Sequence, residues 1–321
     1  MEPEAFAIFM VIGLVAGMAG GLLGIGGSAI FIPAASLVIG ADQQIYQAAA
    51  MILNVFVAAS ATIKHWRSRG IDFTVVRLMT PFAVGAVLIG VYTSNHLNGP
   101  TLARVFGIML IGLACFEIAA MSIRRAQGHR KNGAGSTEIG GEGTAPRTGR
   151  LPYRCIGATM GGLGGLLGIG GGVIGVPLLR LAARQPLRGS IAAAAAVTLP
   201  LALIGAIYKN ASLPFLEGED ASSSIEALLI AAAIVPTAVV GSWFGASMVH
   251  RLPIDVIRIA FIGLLLFAGY RMTTKSFAAV AEPAAIEAAI ESSSQGAAVG
   301  PTAPQLRSAS PTIPKIGNSA S

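Results

Sequence analysis

Residues 17–33 read GMAGGLLGIGGSAIFIP, and residues 161–177 read GGLGGLLGIGGGVIGVP. Eleven of the seventeen positions are identical, at a constant offset of 144. The match continues downstream, where Pro81 and Gly90 lie nine residues apart, as do Pro236 and Gly245. The chain from about residue 5 to residue 274 is therefore a duplication and not a motif used twice.

The composition places both copies in a membrane. Hydrophobic residues make up 54% of the 321 residues and charged residues 12%, whereas a soluble domain carries roughly 25% charged residues. The apolar residues form long runs with few or no charges, among them Met10–Val38, Ala192–Tyr208 and Ala227–Val249. Runs of this length indicate membrane-spanning helices. We expect an all-α, multi-pass protein of the cell (inner) membrane, with the lipid bilayer as its first partner.

The net charge of +7 does not indicate a nucleic-acid-binding protein. The cations cluster in short loops between apolar runs, near 64–77, 124–154 and 180–188, which is the pattern of cytoplasmic loops. The two cysteines, Cys115 and Cys155, lie in apolar runs without a CxxC motif, and we expect them to be small core residues. The sequence predicts no disulfide, no metal site and no cofactor.

Composition divides the chain into four parts. We expect a first membrane repeat at 1–124, a flexible cytoplasmic linker at 125–152, a second repeat at 153–275 and a disordered tail at 276–321. Each repeat reads as a glycine-broken opening segment followed by three membrane helices. The first opening segment, Ala5–Ile39, is too long for one ordinary span, so it is either one interrupted helix or a hairpin of two short helices. The two alternatives give eight or ten spans. The distribution of cations favours the hairpin, which makes the two copies inverted repeats.

The glycine-rich breaks are the first candidate for a binding site. In lipid, a broken helix survives only inside protein or beside a water-filled cavity. The freed N–H groups at a half-helix N-terminus carry positive partial charge, and glycine lets a ligand approach them closely. The alternative is close helix packing through GxxxG pairs, and both can hold at once. The candidate residues of the breaks are Gly24, Gly26, Gly27 and Ser28 in copy one and Gly168, Gly170, Gly171 and Gly172 in copy two.

Polar residues in the second long helix of each copy are the next candidates. Asn54 and Thr198 occupy matching positions at the same offset of 144, and polar residues in an apolar span are often functional. The alternative is a hydrogen bond to a neighbouring helix or to the helix's own backbone. Three cations end these helices and could attract an anion, although such residues more often reach toward the membrane interface; they are Lys64, His65 and Lys209.

No Ser/His/Asp or Cys/His constellation is evident, so the sequence does not predict an enzyme. Two broken helices in corresponding positions are typical of secondary transporters, whose sites lie between the repeats. An anion-conducting channel could use the same breaks to line an open pore. A membrane sensor or assembly subunit is a third possibility, but it would need an ordered soluble domain.

The paired segments at 20–33 and 164–177 resemble the TauE/SafE family of sulfite exporters, also called the TSUP family. The resemblance covers both repeats and includes the proline that follows each break and the Ala-rich helix with Asn54 or Thr198. It implies transport of small, often sulfur-containing anions such as sulfite or sulfonates. A secondary transporter would also use a proton or another ion as a coupling partner. Copy one departs from the pattern at Ser28, where copy two has a third glycine, so the two half-sites differ chemically.

Overall fold

A computed structural model describes residues 3–23, 27–40, 42–131, 149–216, 221–248, 259 and 262–274. These residues belong to one unit, Met1–Val280. Gly24, Gly26, residues 132–148 of the expected linker and the expected tail at 276–321 lie outside the described residues. Throughout the described ranges the secondary structure is helical, without strands, as the sequence predicts.

The first copy forms five helices. They are α1 (Pro3–Leu23), α2 (Ser28–Val38), α3 (Gln43–Arg67), α4 (Phe73–Asn95) and α5 (Gly99–Lys131). Asp72 caps α4 by accepting a hydrogen bond from the Thr74 backbone N–H at 2.9 Å. Helix α5 extends past residue 124, where we expected the linker to begin.

The second copy repeats this order. Its helices are α6 (Arg150–Leu167), α7 (Gly172–Leu181), α8 (Leu187–Ser212), α9 (Ala221–Met248) and α10 (262–274), with a 3₁₀ turn at Leu213–Phe215 after α8. Five helices among the described residues are long and apolar enough to cross a membrane, namely Gln43–Arg67, Phe73–Asn95, Gly99–Ala119, Gly189–Phe215 and Ser223–Phe244. The opening helices contain shorter apolar stretches, Glu4–Gly20, Ser28–Val38 and Gly172–Leu181.

In each copy the chain folds back at the glycine break. The rings of Phe9 and Phe31, on α1 and α2, lie with their centroids 6.3 Å apart. In copy two, a Cβ added to Gly175 of α7 would lie 2.5 Å from the Met160 side chain of α6. A continuous helix would separate residues this far apart in sequence by more than 20 Å, at about 1.5 Å per residue. The two opening helices of each copy therefore lie side by side.

The opening helix of each copy packs against the fourth helix of the other copy. Gly161 of α6 lies so close to α4 that an added Cβ would be 2.0 Å from the Ala83 carbonyl oxygen. On the opposite side, a Cβ at Gly17 of α1 would be 2.2 Å from the Ala238 carbonyl oxygen of α9. Glycine permits this backbone-to-backbone distance. The packing interpretation of the GxxxG pairs therefore holds for Gly17 and Gly161.

Helices α3 and α8 lie at the centre of the molecule. In each, 56% of the apolar window is buried inside the protein, against 28–39% for the other three candidate spans. Residue numbers rise along α3 as they fall along α8: Gln44 lies beside Lys209, and Met51 lies beside Gly205. The two helices therefore run in opposite directions.

Candidate functional site

A cavity of about 420 Å³ lies where the two copies meet. Its wall combines both glycine breaks with the middle of α3 and α8 and the end of α9. Most of the lining is apolar or glycine. The polar side chains in it are Asn54, Ser60, Lys64, His65, Thr198 and Ser242.

The break in copy two is built from left-handed glycines. Gly168 ends α6 at φ +70°, and Gly170 follows at φ +66°. A Cβ at Gly170 would lie 3.1 Å from Cγ of Asn54 and 3.3 Å from Cγ2 of Thr198. Only glycine adopts this conformation at low cost, so the backbone can pass between these two side chains.

Copy one supplies hydrogen bonds to the backbone that the copy-two break leaves unpaired. Asn54 is 3% exposed, and its Nδ2 donates to the Gly168 carbonyl at 3.0 Å. The Ser28 hydroxyl donates to the Ile169 carbonyl at 2.8 Å. The position where copy one departs from the repeat pattern thus supports the other copy's break. For Asn54, the structural interpretation, a hydrogen bond to a neighbouring element, holds.

Two further residues support this break, and the sequence reasoning did not identify them. Gln47 Nε2 donates to the Leu166 carbonyl at 2.5 Å, and the Ser94 hydroxyl donates to Gln47 Oε1 at 2.7 Å. Both side chains are buried. Gln47 lies in the first turns of α3, close to Gln43 and Gln44, so its amide does not stand out in the sequence as that of Asn54 does.

The N-termini of α2 and α7 face the cavity. The N-cap residues are Gly27 and Gly171, and glycine has no side chain that could cap the helix. Gly27 and Gly172 line the cavity. Each terminus presents first-turn N–H groups and positive partial charge to that space.

Thr198 of α8 adds a buried hydroxyl at the wall of the same cavity. The residue is 7% exposed and lines the cavity. Its Oγ1 has no hydrogen-bond partner among the residues that the structure describes. Helical threonines usually satisfy this group on the preceding turn. An unsatisfied buried hydroxyl costs about 1–3 kcal/mol, so a bound polar group would stabilise it.

The cations at the helix ends occupy different positions. Lys64 and His65 line the cavity near the end of α3. Lys209, which we expected at the membrane interface, is 0% exposed and buried between α3, α4 and α8. The expectation was wrong because the ends of α3 and α4 cover this end of α8 with polar side chains.

Most predicted site residues that can be described lie together. Gly27, Asn54, Gly172 and Thr198 line the cavity, while Ser28, Gly168, Gly170 and Gly171 form the adjoining break and first turns. Gly24 and Gly26 are outside the described residues. No group of His, Cys, Asp or Glu able to hold a metal ion occurs in the described part of the chain. Cys115 and Cys155 are exposed on the outside of the helix bundle, so the expectation that they are core residues was wrong.

Comparison with known proteins identifies the family of this chain. The family model described as "Sulfite exporter TauE/SafE" matches residues 9–272. The chain belongs to this family. No solved structure matches the chain.

Several curated relatives carry names of membrane transporters. "Probable membrane transporter protein MamO" of Paramagnetospirillum magneticum is 24% identical over 83% of this chain, and the protein of that name from Magnetospirillum gryphiswaldense is 25% identical over 82%. The match spans 44% of the length of each MamO protein. "Probable membrane transporter protein YunE" of Bacillus subtilis is 24% identical over 76% of this chain and 87% of YunE. The TauE/SafE chain described here is thus a multi-pass membrane protein of a transporter family.

Proposed function

We propose that this protein is a secondary transporter of small anions, with sulfur oxyanions such as sulfite or a sulfonate as the substrate class. The cavity between the two copies is the proposed binding site. The observation that carries the proposal is the convergence on this one space of two helix N-termini and Thr198, whose buried hydroxyl has no hydrogen-bond partner among the described residues. All of these groups are hydrogen-bond donors or positive dipole ends, which suit an oxyanion.

The charge at the cavity wall supports an anionic substrate. Lys64 and His65 are the titratable side chains lining it among the described residues. The rest of the wall is mainly glycine, alanine and larger aliphatic groups. A low-dielectric wall strengthens the attraction between an anion and the donors. The partial positive charges of the two helix N-termini, together with Lys64, can hold the ion without binding it irreversibly.

The residue pairings support ten crossings arranged as inverted repeats. Helices α3 and α8 are counterparts in the two copies and run in opposite directions. Helices α5 and α10 do the same: Gly107 lies beside Thr273, and Ile111 lies beside Gly269. At each break the chain turns back alongside its opening helix, which the ten-crossing alternative requires and the single-span alternative does not. Sites at the interface of such repeats are typical of secondary transporters.

The cluster of cations in loops supports a cytoplasmic location for the segment between the copies. Lys64 and His65 lie in the last turn of α3, next to Arg67 and to Arg69 of the loop that follows. We therefore propose that the cavity opens toward the cytoplasm. This orientation is expected of an exporter in its substrate-accepting state.

Uptake into proteoliposomes tests the proposal. Purified protein is reconstituted, and the flux of labelled sulfite is compared with that of an alkyl sulfonate, sulfate and chloride. We expect the flux of sulfite or of the alkyl sulfonate to saturate with concentration. We also expect each of these two anions to inhibit the flux of the other. Flux of all four ions without saturation would indicate a channel, and flux of none of them would contradict the proposal.

A further inference from the structure

A second void lies on the other side of Asn54. It is too narrow to hold a water molecule, and Asn54 lines both it and the cavity. The void lies between α3, α4, α6 and α8. Its lining residues are Met51, Asn54, Val87, Gly164, Gly170, Leu201 and Ala202.

The repeat relates this void to the cavity. The offset of 144 maps Met51 to Ala195, Asn54 to Thr198, Gly164 to Gly20, Leu201 to Val57 and Ala202 to Ala58, and aligning Pro81 with Pro236 maps Val87 to Ser242. All six counterparts line the cavity. The seventh, Gly26, is the counterpart of Gly170 and lies outside the described residues. The narrow void is therefore the counterpart of the cavity when the two copies are exchanged, and in this structure it is closed.

Lys209 also has a counterpart in the first copy. The same offset relates it to His65, which lines the open cavity. Lys209 is 0% exposed, and its Nζ donates to Gln44 Oε1, to Asn95 Oδ1 at 2.7 Å and to Ser94 Oγ at 3.1 Å. A lysine is almost never fully buried unless its ammonium is bound by other groups, and an ionisable residue within a membrane protein's interior usually marks a transport path.

Small and apolar residues close the space between Lys209 and the void. A Cβ at Gly205, one turn before Lys209 on α8, would lie 3.1 Å from Cγ2 of Val87 and 3.5 Å from Sδ of Met51. For the void to reach the end of α8, the side chains of Val87 and Met51 and the polar contacts of Lys209 must separate. The closing groups belong to α3, α4 and α8, which are the counterparts of the helices around the open cavity.

We propose that the void and Lys209 form a second binding position for the same small oxyanion, which opens to the membrane face opposite the cavity. When it opens, Lys209 exchanges its bonds to Gln44 and Asn95 for the anion, while the cavity at His65 closes. The proposal rests on the proposed transport function and adds to it a named residue on the far face.

Cysteine accessibility tests the opening without substituting Lys209. In a background with Cys115→Ala and Cys155→Ala, Ala202→Cys is compared with its counterpart Ala58→Cys. A membrane-impermeant thiol reagent is added to one face of vesicles of known orientation. We expect Ala58→Cys to react from the cavity face and Ala202→Cys from the opposite face, with millimolar methanesulfonate, which does not consume thiol reagents, changing the Ala202→Cys rate severalfold. Reaction of Ala202→Cys from the cavity face, or from neither face, would overturn the proposal.

The role of the charge is tested separately with Lys209→Met and Lys209→Arg. We expect Lys209→Met to raise the half-saturating sulfite concentration at the far face about tenfold or more while leaving that at the cavity face within about twofold, since each 1.4 kcal/mol is tenfold in affinity. Lys209→Arg should retain most of the affinity. Equal changes at both faces would overturn the role of Lys209. Absence of sulfite flux in the unmodified protein would instead defeat the transport function itself, so the two failures are distinguishable.

Discussion

At the scale of single residues, Thr198 separates binding from folding most cleanly. Its hydroxyl makes no hydrogen bond within the described part of the protein, so Thr198→Val removes an unsatisfied buried group and should keep or raise the thermal stability. If the hydroxyl binds the anion, the loss of a hydrogen bond to a charged group costs about 1.5–3 kcal/mol. We expect the KM for sulfite to rise about tenfold or more. An unchanged KM in a stable Thr198→Val protein would exclude the hydroxyl from the site.

Gly170 tests whether the break itself matters for transport. Gly170→Ala places a Cβ at φ +66°, 3.1 Å from Asn54 and 3.3 Å from Thr198. The backbone strain costs roughly 1–2 kcal/mol, and the added methyl group displaces both of these side chains. We expect flux to fall about tenfold or more while membrane expression stays near normal. The control is Gly112→Ala, because an added Cβ there meets nothing within 4 Å. Loss of expression in Gly170→Ala alone would indicate a purely structural role for this break.

The sequence pointed to some of the polar residues at the site and missed others, for a physical reason. Asn54 and Thr198 stand in the middle of apolar helices, where a polar group is conspicuous. Gln47 lies near the start of α3 and Ser94 near the end of α4, where polar residues are ordinary. Lys209 was misplaced because a helix-end lysine normally reaches water, and the polar ends of α3 and α4 that cover it belong to other parts of the sequence.

At the scale of helices, the sequence predicted where helices break but not which helices pack together. The repeated glycines and the length of the opening segments predicted two broken helices, since both features are local. They did not identify the partners, because glycine indicates a close approach without indicating to which helix. The pairing of α1 with α9 and of α4 with α6 depends on the assembly of both copies.

Two adjacent glycines test the contact between α4 and α6. A Cβ at Gly161 would lie 2.0 Å from the Ala83 oxygen, whereas at Gly162 the nearest atom is 4.0 Å away. We expect Gly161→Ala to destabilise the protein by about 1–3 kcal/mol through overpacking, which lowers the Tm in detergent by several degrees. Gly162→Ala should leave the Tm nearly unchanged. Equal Tm values would show that the helices separate without cost.

At the scale of the whole molecule, the ends of the chain report the topology. With ten crossings and a cytoplasmic linker, both the N-terminus and the end of the last helix lie outside the cell. A reporter that is active only in the cytoplasm, fused after Lys275, should be silent, and the same reporter inserted at Ser136 should be active. Activity at Lys275 would mean that each copy crosses four times and that the repeats are parallel.

Counterflow tests the central claim, that the two copies form one carrier for a small sulfur oxyanion. Proteoliposomes loaded with unlabelled sulfite are diluted into a trace of labelled sulfite. A carrier that opens to one face at a time accumulates the label transiently above its equilibrium level, and the amplitude should fall when Thr198→Val replaces the unmodified protein. Labelled sulfite that merely equilibrates, with no overshoot, would contradict this account.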